Sequence, residues 1–196
     1  MNGWALRVHH FLPESRSNGP GLRTVLWVQG CTLGCPGCFN PRTHPHRGGQ
    51  LWDWRTAWST VASAVARTRA LTVSGGEPFQ QAGPLGDLLT RLRARFDLSV
   101  LVFTGYTLEE LAAMPDAAAV LAATDVLVAG RYVPSQRLAR GLLGSANQTI
   151  HLLTGRHRRE EFDRLPEAEV LVEPGGGLVS TGIDPLRLVR RRGEDV

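Results

Sequence analysis

The three cysteines of this chain lie in one short run, Gln29-Gly-Cys-Thr-Leu-Gly-Cys-Pro-Gly-Cys-Phe-Asn40, as Cys31, Cys35 and Cys38. There are no others, and an odd number excludes a closed set of disulfides within the chain. Clustered thiolates suit a soft metal centre. An iron–sulfur cube takes one cysteine per iron, so three would leave one iron open to another molecule. Zinc sites follow the same logic, closed ones being structural and open ones chemical. The same run is compatible with a zinc knuckle that takes His44 as its fourth ligand.

Other segments carry residue types that could serve such a centre. Leu71-Thr-Val-Ser-Gly-Gly-Glu-Pro-Phe79 ends a short apolar run in two glycines and an acid. Glycines at a strand end let the backbone approach a ligand closely, and a carboxylate there can accept hydrogen bonds from an ammonium group. Val100-Leu-Val-Phe-Thr-Gly-Tyr-Thr-Leu-Glu-Glu-Leu111 reads as a strand ending at Thr104-Gly105. Thr107 and Glu110 then form a capping box that opens a helix. Asp125-Val-Leu-Val-Ala-Gly-Arg-Tyr132 is another strand ending in a turn. In Gly144-Ser-Ala-Asn-Gln-Thr149, Asn147 on its own chemistry is a turn residue.

The spacing Cys-x3-Cys-x2-Cys resembles the signature of the radical S-adenosylmethionine superfamily. Phe39 follows the third cysteine as an aromatic does in that family. Asn40-Pro41, Phe103-Thr-Gly-Tyr-Thr107 and Asn18-Gly-Pro-Gly21 resemble segments of the activases of anaerobic ribonucleotide reductase. The resemblance implies a [4Fe-4S] cluster on Cys31, Cys35 and Cys38 whose fourth iron chelates the amino and carboxylate groups of S-adenosylmethionine. One electron from the cluster would then give a 5′-deoxyadenosyl radical. It implies that Gly75, Gly76 and Glu77 receive the methionine amino group. It also places Gly37, Cys38, Phe39, Thr104, Tyr106, Arg131 and Asn147 around the cofactor. Where the family often has Asp-Gly, this chain has Ala129-Gly130, so a polar role there falls to Asp125 or Arg131. The implied partners are a glycyl-radical enzyme, first among them anaerobic ribonucleoside-triphosphate reductase, and a low-potential electron donor such as flavodoxin or ferredoxin. The alternatives are a compact radical enzyme acting on a small molecule or peptide, like 7-carboxy-7-deazaguanine synthase, and a non-catalytic zinc or iron–sulfur module.

Every cysteine is used in the one motif, which leaves none for a second cluster. A chain close to a bare core has little left to enclose a small substrate, so a partner protein is expected to complete the site. All 22 basic residues are arginine. Without lysine, no side-chain Schiff base can form. A net charge of +4 over 196 residues is small. The arginine clusters at 156–159 and 190–192 have no interleaved aromatics for base stacking, so they read as solvated faces and no nucleic-acid partner is expected. No run of about 18 apolar residues suggests a membrane span. The beginning, Met1-Asn-Gly-Trp-Ala-Leu-Arg7, lacks a secretory pattern, and free clustered cysteines fit a reducing cytoplasm.

The elements that must position these groups alternate along the chain, and length suits a single domain over 1–196. Strand-like runs fall at 4–10, 24–29, 70–74, 99–104, 125–129, 149–153 and 170–173. Asp53 can cap a helix with the stripe Trp54, Trp58, Val61 and Val65. Pro84 can open a second, with Leu85, Leu88, Leu89, Leu92 and Phe96 on one side. A third runs from Thr107 toward Ala123 and breaks at Pro115. Alternating strand and helix implies an α/β fold with right-handed crossovers. The units are too few to close an eight-stranded barrel, so an open, partial (β/α) barrel of about six parallel strands is expected, with its site at the carboxyl ends of the strands. Residues 175–185 read as a closing hairpin over a sheet edge.

Overall fold

The computed structural model describes residues 3–172 and 175–184. The readings placed on Met1, Asn2, Glu173, Pro185 and the arginines at 190–192 lie outside the described residues.

The chain runs β1 (Ala5–Ser15), β2 (Arg23–Val28), β3 (Gln50–Asp53), α1 (Trp54–Thr68), β4 (Ala70–Gly75), α2 (Ala82–Arg95), β5 (Ser99–Thr104), α3 (Leu108–Ala112), α4 (Ala117–Ala122) and β6 (Val126–Ala129). It continues through β7 (Arg137–Arg140), β8 (Leu143–Ser145), β9 (Thr149–Leu152), β10 (Ala168–Val172) and β11 (Leu178–Gly182). Seven strands form one mixed sheet in the order β3-β1-β2-β4-β5-β6-β9. β7–β8 and β10–β11 are separate two-stranded sheets.

Four strands of the large sheet, β2, β4, β5 and β6, run parallel, not six. The reason is connectivity. A parallel neighbour needs a crossover, and α1, α2 and the α3–α4 pair supply three. Residues 16–22 contain no helix, so β1 turns back antiparallel to β2. The chain from β6 to β9 passes only through the β7–β8 hairpin, so β9 is antiparallel to β6.

The helices form as their patterns require. Asp53 Oδ1 accepts the Thr56 N–H at 2.8 Å and caps α1. Arg69 ends α1 in the left-handed region at φ 53°. In α2, Leu85, Leu88, Leu89 and Leu92 are all fully buried, each worth roughly 1.5–3 kcal/mol. Phe96 is only half-buried and caps the end of α2. Thr107 and Glu110 close both halves of the capping box of α3, and the chain breaks around Pro115 before α4.

Alternation along the strands gives the sheet two different faces. Leu26, Val28, Val73, Val102 and Leu127 pack with the α1 and α2 stripes into the main core. On the other face Leu101, Val126, Val128 and Ile150 pack with Leu142 and Phe162. At the amino end of that second face sits Arg23, fully buried, with bonds to Thr72 Oγ1 (2.7 Å), Ser99 Oγ (3.1 Å) and Leu71 O (2.8 Å). Burial lowers its pKa to about 10. At the carboxyl end of the same face the chain leaves a cavity.

Candidate iron–sulfur and cofactor site

The cysteine run begins where β2 ends, and its backbone is held from two sides. Gly30 N–H donates to Thr43 O (2.7 Å) and Cys31 N–H to His44 O (3.0 Å). From the other side, Gly76 N–H donates to Val28 O and Glu77 N–H to Gly30 O, both at 2.8 Å. The end of β4 is thus sewn onto the residues that lead into Cys31.

This changes the meaning of the two glycines. A Cβ on Gly75, which lies at φ +106°, would meet Val28 O at 2.5 Å, and a Cβ on Gly76 would overlap the carbonyl oxygen of Gly30. Their missing side chains admit the neighbouring backbone, whereas the sequence suggested close approach of a ligand. Both still line the cavity.

The cavity has a volume of about 350 Å³. Cys31, Cys35, Cys38, Phe39, Gly75, Gly76, Glu77 and Thr104 all border it. The three cysteines are half-buried free thiols. Backbone N–H groups point at two of the sulfurs, that of Asn40 at Cys38 Sγ (3.4 Å) and that of Leu33 at Cys31. Burial pushes the Cys31 thiol pKa up, and the charges of Glu77 and the other two cysteines add to this. Burial also raises Cys38, with Cys35 adding to it. Three thiolates crowded in this way need a cation to ionise together, and N–H···S bonds are what cluster sulfurs accept. The donor set therefore fits a thiolate-bound cluster. Among the described residues, no three His, Cys, Asp or Glu side chains close on a single ion position.

Glu77 is the most constrained acid at the site, only 1% exposed. Its Oε1 accepts from Thr104 Oγ1 (2.8 Å) and Phe79 N–H (3.0 Å), and its Oε2 from Gly105 N–H (2.8 Å). Burial raises its pKa to about 7 despite those three bonds. One acceptor position on Oε2 remains. The carboxylate thus locks the end of β5 to the end of β4.

Several expected contacts lie outside this cavity. Tyr106 Oη accepts from Gln80 Nε2 (3.1 Å), and its ring lies under the Arg131 guanidinium at 5.7 Å. Arg131 pairs at the surface with both oxygens of Glu110, at 2.9 and 3.0 Å. Asn147 is exposed and donates to Arg131 O at 2.8 Å. Gly37, at φ +65°, makes the turn between Cys35 and Cys38 and is exposed. Asp125 sits just before β6, at the opposite end from the cavity, bonded to Arg93 Nη1 and Val100 N–H at 2.8 Å each. It is a structural acid there.

Other residues take up the cavity wall instead. Gln148 Oε1 accepts from Gly144 N–H (2.8 Å) and Ser145 N–H (3.2 Å), while its Nε2 donates to Gly130 O (2.8 Å). The Phe39 ring packs on Tyr132 at 4.6 Å, with the Arg137 guanidinium at 4.9 Å. Trp27, with the His10 ring tilted against it at 5.5 Å, and Phe103 line the sheet side. Asn18 and Val179–Ile183 close the far side. The segment Gly144-Ser-Ala-Asn-Gln carried the signal for Gln148, one residue beyond the asparagine.

A family model described as a 4Fe-4S single cluster domain matches residues 17–151. An anaerobic ribonucleoside-triphosphate reductase-activating protein of Enterobacteria phage T4 is 34% identical over 141 residues, covering 68% of this chain and 85% of that protein. The protein of the same name from Vibrio cholerae is 34% identical over 157 residues, covering 76% of this chain and 99% of its own. Among solved structures, QueE from Escherichia coli overlaps 54% of each chain at 16% identity and a TM-score of 0.43.

Proposed function

Because the chain belongs to the family of anaerobic ribonucleoside-triphosphate reductase-activating proteins, we propose that it installs a glycyl radical on that reductase. It is a radical S-adenosylmethionine enzyme of the oxidoreductase type, with a [4Fe-4S] cluster and S-adenosylmethionine as cofactors. The observation that carries the reading is the meeting of Cys31, Cys35, Cys38 and Glu77 on one cavity at the carboxyl ends of parallel strands.

In this reading Cys31, Cys35 and Cys38 hold the cluster by three irons. When bound and reduced, the cluster would supply the electron that splits S-adenosylmethionine into methionine and a 5′-deoxyadenosyl radical. The chain's own residues bind and orient that cofactor. Glu77 accepts a hydrogen bond from the methionine amino group on its remaining lone pair, and Thr104 and Gly105 hold that carboxylate in place. The ends of β2 and β4 share backbone bonds, so the cofactor cradle and the cysteine loop keep a fixed separation. Phe39 and Tyr132 form an apolar wall against the adenosyl half. The cavity at the carboxyl ends of the strands stays open for the reductase glycine, whose Cα hydrogen the bound cofactor would be positioned to take.

We read the sheet face that carries the cavity as the inside of an incomplete barrel, within a single domain. The electron donor in this proposal is a low-potential flavodoxin or ferredoxin of the cytoplasm. No helix among the described residues is long and apolar enough to cross a membrane. The test is anaerobic reconstitution followed by iron analysis. About four irons per chain are expected, falling when Cys31, Cys35 or Cys38 is changed to Ala. A chain that holds one zinc and no iron after reconstitution would overturn the assignment.

A further inference from the structure

β11 borders the cavity with four consecutive residues, Val179–Gly182, and Ile183 just after the strand continues the run. Side chains alternate along a strand, so a strand that shows one face to a cavity contributes every second residue. An unbroken run includes both alternating sets of residues, so this wall is not made by one side-chain face alone.

The edge of β11 away from β10 joins no other strand. Among the described residues, β10 and β11 pair only with each other. Within an antiparallel strand, the N–H and C=O of one residue point to the same edge. The Thr181 carbonyl accepts from Ser17 Oγ at 3.3 Å, so Thr181 and Val179 turn their backbone groups away from β10. Among the described residues, Val179 N–H, Val179 C=O and Thr181 N–H meet no further partner on that side. The strand is held rigidly for such a task. Glu169, opposite Thr181 in the register, accepts from Ser15 Oγ and from the N–H groups of Arg16 (3.0 Å) and Ser17 (3.4 Å). Asn18 Nδ2 donates to Thr181 Oγ1 at 3.0 Å.

Unpaired N–H and C=O groups in a row are a template for another extended backbone. This edge opens into the same cavity as the three cysteines. A glycine offers no side chain to grip, so its recognition must fall on main-chain groups. We propose that the free edge of β11 receives the glycine-bearing segment of the reductase as an added strand. The inference rests on the activase reading above and names how the target glycine is held.

The test uses Val179→Pro in the cluster-loaded enzyme. Proline removes the N–H that faces the cavity and spares the ladder with β10, where proline is tolerated because the lost donor is on the open edge. Glycyl radical yield is measured by electron paramagnetic resonance against reductase concentration. The half-saturating concentration should rise about tenfold, the effect of one backbone hydrogen bond. Val179→Ala, which restores the N–H, should recover most of that loss. Hydrogen exchange by mass spectrometry reads the wild type directly, and the amides of Val179 and Thr181 should become protected when reductase is added. A proline variant that behaves as wild type overturns the inference. So does an alanine variant as impaired as proline, or amides that exchange alike with and without reductase. Protection that grows with enzyme concentration alone would instead assign the edge to a second copy of this chain. If the wild type cleaves S-adenosylmethionine yet never places a radical on the reductase, the activase reading falls and this inference with it.

Discussion

Glu77→Gln is the sharpest probe of the site. In the wild type the carboxylate accepts three hydrogen bonds, from Thr104, Phe79 and Gly105. Glutamine keeps one acceptor. If that oxygen stays with Thr104 and Phe79, its amide meets the Gly105 N–H donor to donor. A buried donor left in that state costs about 1–3 kcal/mol. The opposing effect is electrostatic and depends on pH. Burial raises the Glu77 pKa from 4.5 to about 7. Between those values the folded chain holds a proton that the unfolded chain has released. Stability therefore falls as pH rises through that window and levels off above it, by about 3 kcal/mol in all at 1.36 kcal/mol per unit. Glutamine has no such slope. At pH 5 the variant should be the less stable protein. By pH 8 the gap should close or reverse. The assay is urea unfolding of the cluster-free, reduced chain of both proteins between pH 5 and 8. Parallel profiles for the two would refute the burial and bonding assigned to Glu77.

Gly76→Ala should lower iron content and S-adenosylmethionine affinity together, because the new methyl group displaces Gly30 beside Cys31. Gly83→Ala, with open space around it in α2, should keep both and stabilise the fold by about 0.4–1 kcal/mol in thermal unfolding. Leu89→Ala, which empties a fully buried position on α2, should cost about 2–5 kcal/mol in denaturant unfolding. Arg131→Ala should leave the S-adenosylmethionine dissociation constant unchanged by equilibrium dialysis, since Arg131 pairs with Glu110 outside the cavity.

What could be read from the chain was what local chemistry decides. The cysteine spacing, the Asp53 cap, the leucine stripe of α2 and the Thr107 capping box all act within a few residues, and all stand in the structure. Strand direction is not local. Runs 4–10 and 149–153 had the composition of sheet strands, but only the absence of a crossover helix before β2 and before β9 reverses their sense. β3, β7 and β8 leave no signal in the sequence, because three or four residues carry little periodicity. Gly75 and Gly76 were legible as positions that need glycine. Whether ligand or backbone fills the space depends on β2, which is distant in sequence. Asn147 and Gln148 are adjacent, and only the turn after β8 decides which side chain turns inward.

This chain acts by making a radical on another protein. The most direct measurement is electron paramagnetic resonance on anaerobic ribonucleoside-triphosphate reductase after incubation with the reconstituted, reduced enzyme and S-adenosylmethionine. A glycyl doublet is expected on the reductase, formed together with 5′-deoxyadenosine and absent when Cys31, Cys35 or Cys38 is replaced. Repeated turnover of a free metabolite, with 5′-deoxyadenosine produced and no radical on the reductase, would contradict it.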